Sequence, residues 1–291
     1  MSVGVDFDFP KWLARRRNQA SEAAREGSTY AYPGEQSFRQ TLSIAPPVRM
    51  ALEATTRLWR DVARTELLGQ ATKVSDEQYP RVFLAAKAAG AALKVRVPPI
   101  FAAPSSSIGI KVLGTEDAPH LIVNLELAEK LDEQELIAGI AHELGHVQNN
   151  HILYATALHY LTHSAAFFVR WAVQPAILTL RAWSRRAEIT CDRAALLAQK
   201  DLHKTLTALV KIEMLGKGPA FDVEEYLANP PDMTKGLGRF TEMFQSHPFM
   251  PKRIAALKLF GDSQAFANAT GKDPTGKASL PAIDKQVAAL L

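Results

Sequence analysis

The stretch HELGH, from His142 to His146, constrains the fold of this chain more than any other part of its sequence. The surrounding pattern predicts one long helix over 131–153, in which two histidines four residues apart share a face. Their imidazoles can then bind one metal ion together, and Glu143, next to that face, can reach a water on the metal without being a ligand. Gly145 is expected to leave space beside the metal. The alternative is an ordinary helix that happens to carry these residues, so a third ligand must come from elsewhere in the chain.

The class of zinc site depends on that third ligand. A metzincin would continue to a glycine and a histidine at two positions where this sequence has Asn149 and Ile152, which excludes that class. The remaining option is a glutamate on a later helix, and the segment SRRAEITCDRAA supplies Glu188. Glu188 would complete a site of two histidines and one glutamate for one Zn²⁺ per chain. Asp192, one turn further on, is placed to accept the free N–H of a ligating histidine, although both acids can instead pair with the arginines of the same segment.

Three motifs resemble, in order, the M48 family of zinc metallopeptidases over about 80–260: HELGHVQNNH, the E-x-x-x-D pair within SRRAEITCDRAA, and SHPFMPKRI at 246–254. The resemblance is strongest to the soluble bacterial branch of the family. It implies an α+β, predominantly helical fold of the gluzincin type, with a small sheet that precedes the HExxH helix. The family's zinc ligands map onto His142, His146 and Glu188, and its general base maps onto Glu143. Its HP-x-x-x-x-R element maps onto His247, Pro248 and Arg253.

The HP-x-x-x-x-R element also has a physical interpretation of its own. Peptide hydrolysis places negative charge on the carbonyl oxygen, and a donor near the zinc can stabilise that charge. His247, held by the rigid Pro248, is expected to be this donor, and Arg253 is expected to position it or to bind a substrate carboxylate. Two alternatives stay open: His247 binds the zinc as a fourth ligand and silences the resting enzyme, or it is a histidine of a surface loop.

Together these residues predict a zinc-dependent endopeptidase that hydrolyses extended or unfolded polypeptide, with a zinc-activated water and Glu143 as general base. The substrate would lie along a strand edge and contact Ser106, Ser107, Ile108 and Gly109. At this strand the chain has SSSIG where the family commonly has an Asn-Ala-Phe-like stretch. One alternative is a chaperone-like or scaffolding protein that retains the zinc site with little proteolysis, against which the intact Glu143 argues. Another is a lipid-associated CAAX-type protease; the cleavage specificity and the oligomeric state are left open.

The periodic pattern divides the chain into three parts. These are a partly irregular N-terminal extension (1–45), a metallopeptidase domain (46–262), and a linker with a short C-terminal helix (263–291). Within the second part, the β-rich runs SSSIGIKVLG and HLIVNLEL flank a turn-like GTEDAP and predict a hairpin or neighbouring strands. The preceding LKVRVPPIFAA predicts a strand that ends at its prolines.

Charge and hydropathy narrow the partners and the compartment. The formal net charge is +4, and no aromatic or glycine pattern of a nucleic-acid module accompanies the basic arm at 11–17, so no nucleic-acid partner is expected. The N-terminal residues lack an apolar signal-peptide core, and a cytoplasmic protein is therefore expected. The apolar region 152–180 is interrupted by Arg170 and Pro175, which favours a buried helical pair over a membrane span, with peripheral membrane contact left open. The single Cys191 rules out an internal disulfide.

Overall fold

The computed structural model describes residues 22, 24–59, 65, 69, 71–103, 109–163, 167–214, 222–231, 242 and 245–291. Three of the predicted substrate-contacting residues, Ser106, Ser107 and Ile108, lie outside these residues, as does the basic arm at 11–17. The helices α1 to α12 are Pro33–Ile44, Pro46–Leu58, Pro80–Leu93, Leu125–Lys130, Glu133–Gln148, Ile152–His163, Phe167–Gln199, Leu202–Met214, Val223–Ala228, Met250–Gly261, Gln264–Thr270 and Leu280–Leu290. The strands β1 to β4 are Thr72–Lys73, Ile100–Ala103, Ile110–Thr115 and Ala118–Asn124.

The four strands form one small mixed sheet in the order β1-β2-β4-β3. Strands β3 and β4 pair antiparallel from Ile110 opposite Val123 to Thr115 opposite Ala118, which confirms the predicted hairpin. Strand β2 runs parallel to β4. The prediction that a strand ends at the prolines was wrong, because β2 begins after them. Pro99 cannot donate to the ladder, but its carbonyl oxygen still accepts the N–H of Leu121 (3.0 Å), so it fits just before the strand.

The fold is α+β and mostly helical, as predicted, and the sheet precedes the helix that carries HELGH. That helix, α5, packs against α3, α7 and α8. It begins at a capping box, in which the Asp132 side chain accepts from the Glu135 N–H and the Glu135 side chain accepts from the Asp132 N–H. It ends at Gln148, five residues before the predicted end, because Asn150 adopts a left-handed conformation with φ of 57°. The predicted helix over 131–153 is therefore two helices, α5 and α6.

Helix α7 crosses α5 at very close range. A Cβ on Gly145 would lie 2.9 Å from the Ala194 Cβ and 3.1 Å from the Cys191 Cα. The expectation that Gly145 leaves space beside the metal was wrong, because α7 fills that space. The small residue instead allows α5 and α7 to approach until their side chains face one cavity. Among the described residues, no helix has both the length and the apolar character that crossing a bilayer requires.

Arg193 on α7 is 1% exposed and contacts both the N-terminal segment around Tyr30 and the C-terminal helix α12. Its Nη1 donates to the Tyr30 carbonyl oxygen (3.0 Å), and its Nη2 donates to Asp284 Oδ1 on α12 (2.6 Å). The guanidinium also lies over the rings of Tyr32 and Phe260. The N-terminal segment and the C-terminal helix thus meet at one buried cation on the long helix.

Replacing Asp284 with alanine is expected to lower the free energy of unfolding by about 3 kcal/mol, because it leaves the buried Arg193 charge without its carboxylate. For a chain of this size the melting temperature should fall by about 6–12 °C. Asp262→Ala is the matched control. Its carboxylate pairs with Lys277 but is 82% exposed, so its loss should cost less than about 1 kcal/mol. Equal melting temperatures for the two variants, measured by thermal denaturation, would contradict a role for this ion pair.

Candidate metal centre

Helices α5 and α7 bring the three predicted zinc ligands together. The Nε2 atom of His142 lies 3.3 Å from Glu188 Oε2, and the Nε2 atom of His146 lies 3.6 Å from Glu188 Oε1. All three side chains are buried. They line a cavity of about 380 Å³ that also includes Glu143, His247 and Arg253. Both imidazoles therefore present the same nitrogen to one carboxylate at the wall of a cavity.

Behind His142, a carboxylate and a guanidinium hold the ring in place. The Nδ1 atom of His142 lies 3.0 Å from Asp192 Oδ1, and a carboxylate at this position can accept the N–H of a histidine whose other nitrogen binds a metal. Arg253 donates to both oxygens of the same carboxylate, from Nε to Oδ2 at 2.9 Å and from Nη2 to Oδ1 at 2.6 Å. Burial alone would raise the pKa of Asp192, but Arg253 and His142 hold it below its usual range. Asp192 is thus an ionised acceptor, and Nε2 of His142 is left for the cavity.

Behind His146 stands a residue that the sequence pattern did not indicate. The Nδ1 atom of His151 lies 3.2 Å from the Nδ1 atom of His146, and the Nε2 atom of His151 lies 2.9 Å from Glu35 Oε1. Helical spacing places His151 about 140° from His146 around an uninterrupted helix. The left-handed Asn150 ends that helix and turns His151 back onto the ring. Glu35 is 116 positions away in the chain, in the part (1–45) that the sequence pattern predicts to be a partly irregular extension, so no sequence signal linked it to the site.

The donor set fits a zinc ion. Two imidazole nitrogens and one carboxylate are a common set of protein ligands for catalytic zinc. Glu188 Oε2 is buried and has no hydrogen-bond partner among the described residues, although His142 and Arg253 lie within ion-pair distance. Burial lowers the pKa of His142, but the Glu188 and Asp192 carboxylates outweigh that effect and raise the pKa to about 10. The raised pKa means that the surroundings of His142 favour a positive charge. The Nε2 lone pair that would bind a proton can bind a metal ion instead.

Cys191 offers a second possible ligand set. An atom of His142, one of His146 and its Sγ lie within 4.8 Å of one another. The thiol, however, is fully buried. Burial raises its pKa well above the usual range, and the nearby Glu188 and Glu143 charges raise it further. A thiol binds zinc as a thiolate. The Sγ atom contacts His151 Nδ1 at 3.8 Å, and Cys191 is not among the residues that line the cavity. Glu188 is the better third ligand on both grounds.

Glu143 lies at the cavity wall and is hydrogen-bonded to strand β3. Its Oε2 accepts the backbone N–H of Val112 on β3 at 2.7 Å. The strand thus fixes the carboxylate beside the two histidines that flank it on α5. Gly109, the one described residue of the predicted substrate-contacting stretch, also lines the cavity, together with Ile110 and Lys111 of β3.

The residues of the HP-x-x-x-x-R element occupy two different places. His247 reaches the cavity, with Nε2 3.5 Å from Glu188 Oε1 and Nδ1 3.0 Å from the Ser246 hydroxyl. Arg253 lies in the first turn of α10. It is 4% exposed, and its side chain points towards Asp192 and Glu188. Its observed partners are Asp192, Glu188 and, at 3.7 Å, Glu213. The structure thus brings His247 to the metal position and Arg253 to the carboxylate that supports His142.

Comparisons with known proteins point to one family. The sequence profile described as Peptidase family M48 matches residues 112–260, just over half of the chain. The chain is 36% identical over 97 residues to the plastoglobule-localized metallopeptidase 48, chloroplastic, of Arabidopsis thaliana, a match that covers 32% of this chain and 28% of the relative. It is 26% identical over 175 residues to protease HtpX homolog 2 of Methanosarcina mazei, which covers 47% of this chain and 57% of the relative. The chain thus spans between 28% and 57% of the length of these curated relatives. No solved structure matches it.

Proposed function

Because the chain belongs to peptidase family M48, we propose that it is a zinc-dependent endopeptidase of gluzincin type that hydrolyses extended or unfolded polypeptide. One observation carries the proposal. The Nε2 atoms of His142 and His146 face the Glu188 carboxylate at the wall of a cavity, and Glu143 lies at the same wall. A metal-binding protein without proteolysis needs the three ligands but has no use for a carboxylate held beside them.

His142, His146 and Glu188 would hold one zinc ion. Zinc bound there would polarise the substrate carbonyl and lower the pKa of a water molecule. Asp192 and Arg253 would keep the Nδ1–H of His142 engaged, so that its Nε2 lone pair stays directed at the metal position. Arg253 would in this way act through Asp192 as a positioning residue.

Glu143 is the proposed general base. Its Oε2 is held by the Val112 N–H, which leaves Oε1 to take the proton of the attacking water and to pass it to the leaving amine. His247 would donate from Nε2 to the carbonyl oxygen as negative charge develops there. The Ser246 hydroxyl at its Nδ1 would hold the ring in that orientation.

The substrate would lie along β3. This strand is at the edge of the sheet that the described strands form, and it pairs with β4 on one side only. Gly109, Ile110 and Lys111 line the cavity next to Val112, whose N–H is engaged by Glu143, so an extended peptide added to the edge at 109–111 would pass the metal position. Backbone pairing of this kind accepts many sequences, because the hydrogen bonds do not involve side chains. It also requires an extended chain, which favours unfolded or flexible polypeptide as the substrate.

A digest of an unbiased peptide library, followed by mass spectrometry, tests this function. Wild-type protein should cleave internal bonds, lose the activity on treatment with a zinc chelator and regain it when Zn²⁺ is restored. The chelated sample is the control for contaminating serine or cysteine proteases, whose activity the chelator would leave intact. If the protein binds zinc stoichiometrically but wild type and Glu143→Gln are equally inert, the scaffolding alternative replaces the peptidase.

A further inference from the structure

The ring of His146 is held from behind by a second histidine rather than by a carboxylate. His142 has Asp192 directly at its Nδ1 atom. At the corresponding atom of His146 lies the Nδ1 atom of His151, 3.2 Å away, with the two rings edge to face. His151 is fully buried, and its second nitrogen lies 2.9 Å from Glu35 Oε1. Glu35, His151 and His146 therefore form a chain of hydrogen bonds from α1 to the metal position.

The protons in this chain of hydrogen bonds can be assigned from the hydrogen-bond chemistry. An ionised carboxylate can only accept, and Glu35 accepts both from His151 and, at 2.8 Å, from the Thr190 hydroxyl. His151 must therefore carry its proton on Nε2, which makes its Nδ1 an acceptor when the ring is neutral. His146 then donates from Nδ1–H to His151 and keeps a lone pair on Nε2, the atom that faces Glu188.

We propose that Glu35 and His151 are positioning residues of the metal site, which together fix the orientation and the tautomer of the ligand His146. The inference rests on the proposed function, since it takes His146 to be a zinc ligand. Groups of this kind orient a ligating histidine and raise its basicity, and their loss typically weakens metal binding about 10–100-fold.

The position of Glu35 gives the N-terminal helix a role in the site. Glu35 lies in the first turn of α1 and is 1% exposed. It precedes residue 112, where the match to the family profile begins. On the other side, α7 contributes Thr190 to the same carboxylate and Glu188 to the metal position. Helix α1 is thus connected to the catalytic centre through His151 and is not merely attached to the surface of the domain.

The dissociation constant for Zn²⁺, measured on the full chain by competition with a chromophoric chelator, tests the proposal. His151→Leu removes both hydrogen bonds and should weaken zinc binding about 10–100-fold. His151→Gln keeps one acceptor and one donor on a side chain of similar reach and should restore most of the affinity. Glu35→Gln keeps the shape but removes the charge, and should fall between wild type and His151→Leu.

Thr205→Val is the matched control for lost stability. This buried threonine donates to the Asp201 carbonyl oxygen at 2.7 Å on α8 and does not line the cavity. Its replacement should lower the melting temperature and leave zinc affinity unchanged. The visible absorption of the cobalt-substituted protein gives a second readout, since it reports ligand geometry. It should change in His151→Leu and stay the same in Thr205→Val.

The outcomes separate the two proposals. If wild type binds zinc and cleaves peptides, but Glu35→Gln and His151→Leu bind zinc as tightly as wild type with the same cobalt spectrum, the positioning role is wrong and the peptidase stands. If His151→Leu does not fold, Glu35→Gln alone decides in the same way. If wild type itself binds no zinc, the proposed function fails and the positioning role fails with it.

Discussion

Replacing Glu143 with glutamine is expected to lower kcat for peptide hydrolysis by about 10²–10⁴-fold, the usual contribution of a positioned general base. Glutamine cannot take a proton at neutral pH, but its carbonyl oxygen can still accept the Val112 N–H that now holds Oε2. The edge strand and the cavity should therefore keep their shape. Zinc content should equal that of wild type, because Glu143 is beside the proposed ligands and not among them.

Kinetics with a cleaved peptide from the library, together with metal analysis of the same samples, measure this effect. Glu133→Gln is the matched control, because Glu133 lies on the same helix but is exposed in its first turn; its kcat should stay that of wild type. Full activity of Glu143→Gln would remove the residue from the mechanism. A loss of activity that only follows a loss of zinc would instead make Glu143 part of the metal site.

Replacing Glu188 with glutamine is expected to reduce zinc binding by more than about 100-fold, beyond the range typical of residues that only orient a ligand. The carboxylate lies 3.3 and 3.6 Å from the Nε2 atoms of the two histidines, so its negative charge is placed to bind a metal ion held by both rings. An amide of the same shape supplies a weaker, uncharged oxygen. The purified variant should carry far less than one zinc per chain and should not cleave peptides.

The same experiment decides between the two possible ligand sets. Cys191→Ala removes the thiol that lies near both histidines and should leave zinc content and activity close to those of wild type. If Cys191→Ala loses the metal while Glu188→Gln retains it, the third ligand is the thiolate and the gluzincin assignment is wrong. Atomic emission of protein desalted under identical conditions gives the zinc content of each.

Several parts of the site follow from short-range geometry and could therefore be predicted. Two histidines four residues apart share a helix face wherever that helix packs, so the pairing of His142 with His146 required no knowledge of the fold. The same spacing joins Glu188 to Asp192 on α7. The hairpin of β3 and β4 is similarly local, because its two runs are separated by one short turn.

Predictions failed where a single backbone conformation or a close approach of two helices decided the outcome. The helix pattern continued through Asn150, but a left-handed residue there ended α5 and redirected His151. Gly145 is expected to leave space for a metal, whereas α7 packs closely against α5 at this residue. In both cases a periodic pattern specifies which residues share a face but not what lies against that face.

The spacing of residues along the chain predicts the groups of a zinc site: two imidazoles and a carboxylate on one helix, and a pair of acids on a later one. The match to peptidase family M48 rests on the sequence as well. Which distant groups support these residues depends on how the helices pack. In the folded chain Arg253 pairs with Asp192 and Glu35 pairs with His151, over separations of 61 and 116 positions. Ligand spacing can be predicted because it is set by bonds and helix geometry along the chain. A contact between distant residues arises only when their helices are packed into one core.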